Sequence, residues 1–264
     1  MSKLARKVQD ARENLFSSMG VPGHIDFVPD PFQLEAIESV LSGSDTLVSA
    51  PTGTGKTYIA TEAIEKILRS GKRAIYTAPL KALSNTKFAE FRKRFEPEFC
   101  VGLLTGDRRI DTDAHLVVAT TEIYRNDLFS MRGDYGMVVL DELHYLADPQ
   151  RGPVWEESII LSPKSCVLLM LSASISNSEE VAQWIGEVRG KPVNVIKVKE
   201  RAVELRLGFL HPQWGVIPLQ KENRSSELFS EVSAYYGSGG DVGGQNRRPS
   251  NSLSGSRSPR RRRD

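Results

Sequence analysis

Between about residue 30 and residue 200, two hydrophobic patterns alternate. Short β-branched runs read as strands: DTLVSA (45–50), RAIYTA (73–78), CVGLLT (100–105), HLVVAT (115–120), MVVLDE (137–142), CVLLML (166–171) and VNVIKV (193–198). Longer stretches between them keep helical spacing. From Tyr58 to Ser70, residues Ile59, Ala63, Ile64, Ile67 and Leu68 share one face, and Gly71 follows as a stop. Residues 80–95 and 178–188 read as helices in the same way. Strands without polar alternation are buried on both faces, as in a parallel sheet covered by helices. The strand–helix alternation points to the same arrangement. The predicted fold class is α/β, a doubly wound and mostly parallel sheet.

The pattern fails at both ends. Residues 1–25 read as an N-terminal extension, 26–200 as the α/β domain, and 201–222 as the start of a connection toward a second domain. Residues 223–264 end in GSGGDVGGQNRRPSNSLSGSRSPRRRRD, too poor in large apolar side chains to offset the entropy of ordering, and read as a disordered tail.

Charge sharpens this division. Residues 246–264 hold seven arginines and one acid, a charge of +6, which leaves −4 on the rest of a chain whose net charge is +2. Basic attraction for polyanions is therefore concentrated in the tail. It is either a solvated charge run or a salt-sensitive tether for a polyanion such as a nucleic acid. No apolar run approaches the roughly 20 residues that span a bilayer. The first 20 residues mix Lys and Arg with Asp10 and Glu13, unlike a secretory signal. Cys100 and Cys166 lack metal-ligand spacing and sit in apolar surroundings, which reads as buried thiols in a reducing compartment. The expected location is intracellular, with cytoplasm first and nucleus or plastid as alternatives.

SAPTGTGKT (49–57) lies between a predicted strand and a predicted helix. Phosphate binding at such a junction needs a tight turn whose backbone N–H groups face a helix N-terminus. Gly53 and Gly55 permit that turn, with Thr52 and Thr54 between and beside them. Lys56 would reach the β- and γ-phosphates and the Thr57 hydroxyl would ligate Mg²⁺. The first glycine of the general pattern is replaced by Ala50. An ordinary glycine-rich turn is the alternative. MVVLDE supplies acids at another strand tip: Asp141 to hold the metal and Glu142 to orient and deprotonate water. Alone, two such acids would more simply cap a strand.

Taken together, these stretches resemble the DExH-box helicases of superfamily two, in particular the superkiller-type, exosome-associated RNA helicases and their bacterial and plastid relatives. The resemblance runs from about Phe27 to Ile196 and is carried by PDPFQLEAI (29–37), TAPLKALSNTK (77–87), LLTGD (103–107), ATTEIYRN (119–126), DELHYLADPQRGPVWEESIILSP (141–163) and LSAS (171–174). It implies the first RecA-like domain of an ATP-dependent RNA helicase, using ATP and Mg²⁺. It also implies single-stranded or structured RNA as partner, within an RNA-decay or RNA-processing assembly.

The same resemblance assigns roles. Gln33 would read adenine, its amide offering both donor and acceptor, and Phe27 would pack against the base. Pro79, Lys81, Thr105, Gly106, Asp107, Thr120 and Thr121 would line a track for the nucleic-acid backbone. Glu122 would cap the following helix. His144, Ser172 and Ser174 would couple the two sites, Ser174 standing where the family usually has Thr. Without the resemblance, Gln33 reads as a surface helix residue and His144 as structural.

Such motors place ATP between two RecA-like domains, and the second supplies arginine fingers worth on the order of 10³–10⁵ in rate. No Gln-x-x-Gly-Arg-x-Gly-Arg segment follows residue 200. An expressed fragment, a truncated or alternative product and a half completed by a partner all accommodate this. The expectation is weak ATP–Mg²⁺ binding, very slow hydrolysis and no duplex unwinding by the 264 residues alone. A nucleotide-dependent RNA-binding module without turnover and a DNA helicase are the alternatives.

Overall fold

The computed structural model describes residues 3–17, 28–129, 134–173, 175–201, 206–221 and 224–237. The chain divides into two compact units, one within His24–Glu204 and the other formed by residues before and after it.

The larger unit grows from the apolar runs. They form β1 (Asp45–Ser49), β2 (Ala74–Ala78), β3 (Val101–Leu104), β4 (Arg109–Ile110), β5 (Leu116–Thr120), β6 (Met137–Leu140), β7 (Val167–Ser172) and β8 (Val193–Lys197). They make one eight-stranded sheet in the order β4-β3-β5-β2-β6-β7-β1-β8. Every pairing is parallel except that of β3 with the short β4. Every residue of β1, β2, β3, β5 and β6 is buried, as strands covered on both faces require.

Alternation of side chains across the pleat divides the core in two. Val48, Tyr76, Val118, Val139 and Leu169 pack toward α2 (Pro31–Leu41), α3 (Lys56–Arg69) and α4 (Lys81–Phe95). Leu47, Ile75, Val117, Val138 and Leu168 pack toward α5 (Thr121–Phe129), α6 (Gly152–Leu161) and α7 (Ser178–Arg189). The doubly wound α/β architecture is therefore present.

At the amino edge of the sheet, a buried ion pair fastens α7 to β1. Arg189 donates through Nε to Asp45 Oδ2, and through its other nitrogens to the carbonyls of Ser162 (3.0 Å) and Cys166 (2.9 Å). Asp45 also accepts the Leu168 N–H at 2.8 Å and faces Lys191 at 3.0 Å. Buried charges persist when their donors and acceptors are this fully matched.

The smaller unit contains α1 (Lys3–Phe16), two antiparallel ribbons and α8 (Ser230–Gly237). One ribbon joins β9 (Gly208–His211) to β10 (Gly215–Pro218), and the other joins β11 (Gln220–Lys221) to β12 (Arg224–Leu228). Val8, Ile217, Phe229 and Val232 form its core. Arg206 donates to the carbonyls of Asn14, Leu15 and Ser17 at 3.1, 3.1 and 2.7 Å, a cationic closure of the α1 C-terminus.

Two expectations change. Residues 224–237, assigned by composition to the tail, form β12 and α8, because Phe229 and Val232 supply apolar anchors. The remainder of that tail, with its arginines, lies outside the described residues. Cys166 is buried as expected, whereas Cys100, just before β3, is exposed.

Candidate nucleotide site and nucleic-acid track

The candidate functional residues gather at the carboxyl edge of the parallel sheet, where ligands of open α/β sheets bind. Across that edge they fall in a defined order. Thr105 follows β3, Thr120 ends β5, Pro79 follows β2, Asp141 follows β6, Ser172 ends β7, and the glycine loop follows β1. The acids thus stand between the expected nucleic-acid residues and the expected phosphate loop.

The loop has the backbone that phosphate binding needs. Gly53 and Gly55 have φ of +89° and +80°, and Gly55 leads directly into α3. At Gly55 the positive φ favours glycine, and a Cβ there would stand 2.4 Å from Gln33 Nε2, so any other residue would also have to move that side chain. Thr54 is buried and closes the turn by donating to the Pro51 carbonyl at 2.8 Å. Thr52, Gly53 and Thr57 are exposed. Lys56 folds over the loop, donating to the carbonyls of Ala50 (2.7 Å) and Pro51 (3.1 Å). Burial pushes its ammonium down, while the carboxylates of Glu142 and Asp141 pull it up.

Gln33 is only 2% exposed, unlike a surface helix residue. Its Oε1 accepts the Asp30 N–H at 2.9 Å at the start of α2, and its Nε2 donates to the Thr54 carbonyl at 3.0 Å. It therefore buttresses the phosphate loop, keeping one N–H and one lone pair for a base. Phe27 lies outside the described residues.

Asp141 is held on three sides by β2 and its own neighbour. Its N–H donates to the Thr77 carbonyl (3.1 Å), its Oδ2 accepts the Tyr76 hydroxyl, and its Oδ1 accepts the Glu142 N–H (2.9 Å). Burial raises the Asp141 carboxyl above its ordinary range, against the pull of these hydrogen bonds and of Lys87 and Lys56. Burial also raises Glu142, and the neighbouring Asp141 charge adds to the shift. Glu142 has φ +56° and ψ +45°. For a residue with a Cβ, this left-handed conformation costs about 1–2 kcal/mol, and it turns the carboxylate out of the strand.

The site's oxygen donors suit magnesium. Thr57 offers an exposed hydroxyl and Asp141 a carboxylate whose oxygens each keep a lone pair, the hard ligands that cation takes. Among the described residues no group of three or more His, Cys, Asp or Glu is placed to hold a metal alone. The fit is to an ion that keeps water and phosphate ligands.

On the other side of β6, Thr105 donates to Asp107 Oδ1 (2.9 Å), and Lys81 meets the same oxygen at 3.1 Å. Lys81, Gly106 and Asp107 are exposed, whereas Pro79, Thr105, Thr120 and Thr121 are buried. The exposed three can reach a polymer directly, while the buried four shape the edge beneath them. Glu122 lies in the first turn of α5, where its charge faces the helix N-terminus.

Of the residues expected to couple the two sites, Ser172 lies on β7 and His144 on the turn after β6. Ser172 accepts the Ala50 N–H through its carbonyl (3.1 Å), and its buried hydroxyl has no partner among the described residues. His144 Nδ1 lies 3.2 Å from Glu142 Oε2, within ion-pair range but without hydrogen-bond alignment. Ser174 lies outside the described residues. Tyr76 is only faintly marked in the sequence. Its signal was a hydroxyl within an apolar strand, which becomes meaningful only once β2 is known to lie beside β6.

Residues 30–181 match the DEAD/DEAH box helicase family, and the chain belongs to it. It is 50% identical over 175 residues to "DExH-box ATP-dependent RNA helicase DExH15 chloroplastic" of Arabidopsis thaliana, covering 63% of this chain and 15% of that protein. It is 42% identical over 183 residues to "Exosome RNA helicase MTR4" of Mus musculus, covering 68% of this chain and 17% of that protein. The chain therefore spans 15–17% of the length of these relatives. The fold also resembles the crystal structure of the DUF1998 helicase MrfA bound to DNA, with TM-score 0.55 and 20% identity, covering 75% of this chain and 30% of that one.

Proposed function

We propose that this chain carries the first motor domain of an ATP-dependent RNA helicase, binding ATP–Mg²⁺ at the β1 side of the carboxyl edge and RNA at the β2–β5–β3 side. One observation supports this most strongly: the Asp141–Glu142 pair follows β6, between the phosphate loop and the exposed Lys81–Asp107 cluster. Both relatives described above are named as RNA helicases, which favours RNA over DNA. The mouse relative is named as an exosome RNA helicase, which favours an exosome-associated setting for this chain.

In this reading the backbone of residues 52–57 cradles the phosphates, and Lys56 leaves the Ala50 and Pro51 carbonyls to meet the terminal ones. Gln33 holds the loop and presents its remaining N–H and lone pair to adenine. Thr57 and Asp141 hold magnesium, which supplies neutralisation of charge on the phosphate oxygens. Glu142, its carboxyl raised by burial and by Asp141, accepts the proton of the attacking water. Ser172 and His144 flank this group. Efficient turnover also needs cationic fingers from a second RecA-like domain, and the described residues contain only one large sheet.

The test is single-turnover ATP hydrolysis by the 264-residue chain, with and without single-stranded RNA, beside Glu142→Gln. Slow hydrolysis that the substitution abolishes supports the reading. Equal rates in both proteins, or robust strand displacement by this chain alone, would overturn it.

A further inference from the structure

Helix α6 packs against the turn that follows Glu142 and against α5, which follows Thr120. At its start it clamps the short helical turn Leu143–Ala147 that follows Glu142. Asp148 Oδ1 accepts the N–H groups of Gln150 (2.8 Å) and Arg151 (2.9 Å), and the Gly152 N–H donates to the Asp148 carbonyl (2.7 Å). A Cβ at Gly152 would stand 2.5 Å from the Leu146 carbonyl oxygen, so the two segments meet backbone to backbone. Aromatic rings continue the contact. His144 leans on Tyr145 at 5.0 Å, Tyr145 stacks on the fully buried Trp155 at 5.5 Å and 18°, and Arg151 covers Tyr145 at 5.4 Å.

Farther along, α6 is tied to α5. Glu157 accepts a hydrogen bond from Arg125, and Ser162 shares one of 2.7 Å with the buried Tyr124 hydroxyl. Helix α5 begins at Thr121, directly after Thr120 at the nucleic-acid side of the edge.

Among the described residues, Thr121 Oγ1, Arg125 Nε and Trp155 Nε1 are buried without a hydrogen-bond partner. The first two lie one turn apart on one face of α5. By contrast, the Arg189–Asp45 lock leaves no such group unmatched. Buried polar groups in native structures are ordinarily paired. A contact with unmatched donors has a reason to repack, and two discrete arrangements are what energetic coupling requires.

We propose that α6 is the link by which occupancy of the nucleotide site is felt at Thr120 and Thr121, through Tyr145 and Trp155 at one end and Glu157 and Arg125 at the other. These four are positioning residues. The inference rests on the function proposed above.

The test measures the affinity of the 264-residue chain for a labelled single-stranded polyuridylate, with and without a non-hydrolysable ATP analogue and Mg²⁺. Coupling of typical size would give the wild type a ratio of about 5-fold or more. Arg125→Ala and Glu157→Ala should bring that ratio toward one while leaving each single-ligand affinity within about 2-fold. The swap Arg125→Glu with Glu157→Arg should restore it. Tyr145→Leu should abolish the ratio, and Tyr145→Phe, which keeps the stack, should preserve it. Circular dichroism identifies any variant that fails to fold, and the Tyr145 pair then decides. If both ligands bind the wild type independently, or the ratio survives Arg125→Ala and Tyr145→Leu, the link is disproved. If neither ligand binds the wild type, the proposed function itself fails and the link falls with it.

Discussion

The Tyr76 hydroxyl donates to Asp141 Oδ2 from the neighbouring strand, although neither residue is near the other in sequence. Burial and the nearby Asp141 charge both raise the Tyr76 phenol well above its ordinary range, so it stays protonated and can only donate in this contact. It leaves the carboxylate fixed in direction, with its remaining lone pairs turned elsewhere.

Tyr76→Phe should therefore strand a buried carboxylate oxygen, at about 1–3 kcal/mol of stability. It should also raise the Mg²⁺ concentration needed for nucleotide binding without changing binding in EDTA. Urea unfolding and a Mg²⁺ titration check the two halves. An unchanged Mg²⁺ midpoint would show that Tyr76 only supports the fold.

Gly55→Ala and Gly53→Ala separate backbone strain from crowding. Both positions have positive φ, but a methyl at 53 meets nothing within 4 Å, whereas one at 55 collides with Gln33. Gly53→Ala should cost about 1 kcal/mol. Gly55→Ala should cost more and also displace Gln33, weakening ATP relative to a base-free triphosphate. Equal effects on both ligands would refute the contact of Gln33 with adenine.

Glu142→Gln should raise the melting temperature while it stops hydrolysis. Burial and Asp141 raise the folded-state carboxyl of Glu142, so the fold favours its protonated form. That contribution is fully present below the ordinary glutamate range and is lost as pH rises through the raised value. The advantage of Gln should therefore grow from acid toward neutral pH, and thermal melts across that range read it directly. A constant difference at all pH values would contradict the assignment.

Arg189→Ala should be severely destabilising, by roughly 3–5 kcal/mol, because it removes one partner of a buried ion pair and takes the Arg189 N–H groups from the Ser162 and Cys166 carbonyls. The lock sits at the amino edge of the sheet, away from the site, so nucleotide affinity of the remaining folded protein should hold. Denaturant unfolding and analogue binding measure these separately.

Much of this was legible in the chain because the signals are local. Strand runs, the Gly-Lys-Thr turn and the Asp-Glu-Leu-His box depend on spacing within a few residues, and their strands and loops form close to the expected bounds. What escaped depends on partners distant in sequence. Tyr76 finds Asp141 across a β2–β6 pairing, and Arg189 finds Asp45 across 144 residues. The left-handed Glu142 has no compositional marker, since its strain is imposed by the turn that follows β6. Residue types alone cast Gln33 as a surface helix residue, because its burial and its bond to the Thr54 carbonyl depend on a loop 21 residues away. Composition also erred at 224–237, where two apolar anchors suffice to order a polar stretch.

The most direct measurement of the central claim is a titration of the 264-residue chain with a fluorescent ATP analogue, with Mg²⁺ and then with EDTA, beside Lys56→Ala. The account predicts saturable, Mg²⁺-dependent binding that falls about tenfold or more in the variant, as loss of one charge-assisted phosphate contact implies. Binding that is the same in both proteins, or indifferent to Mg²⁺, would contradict it.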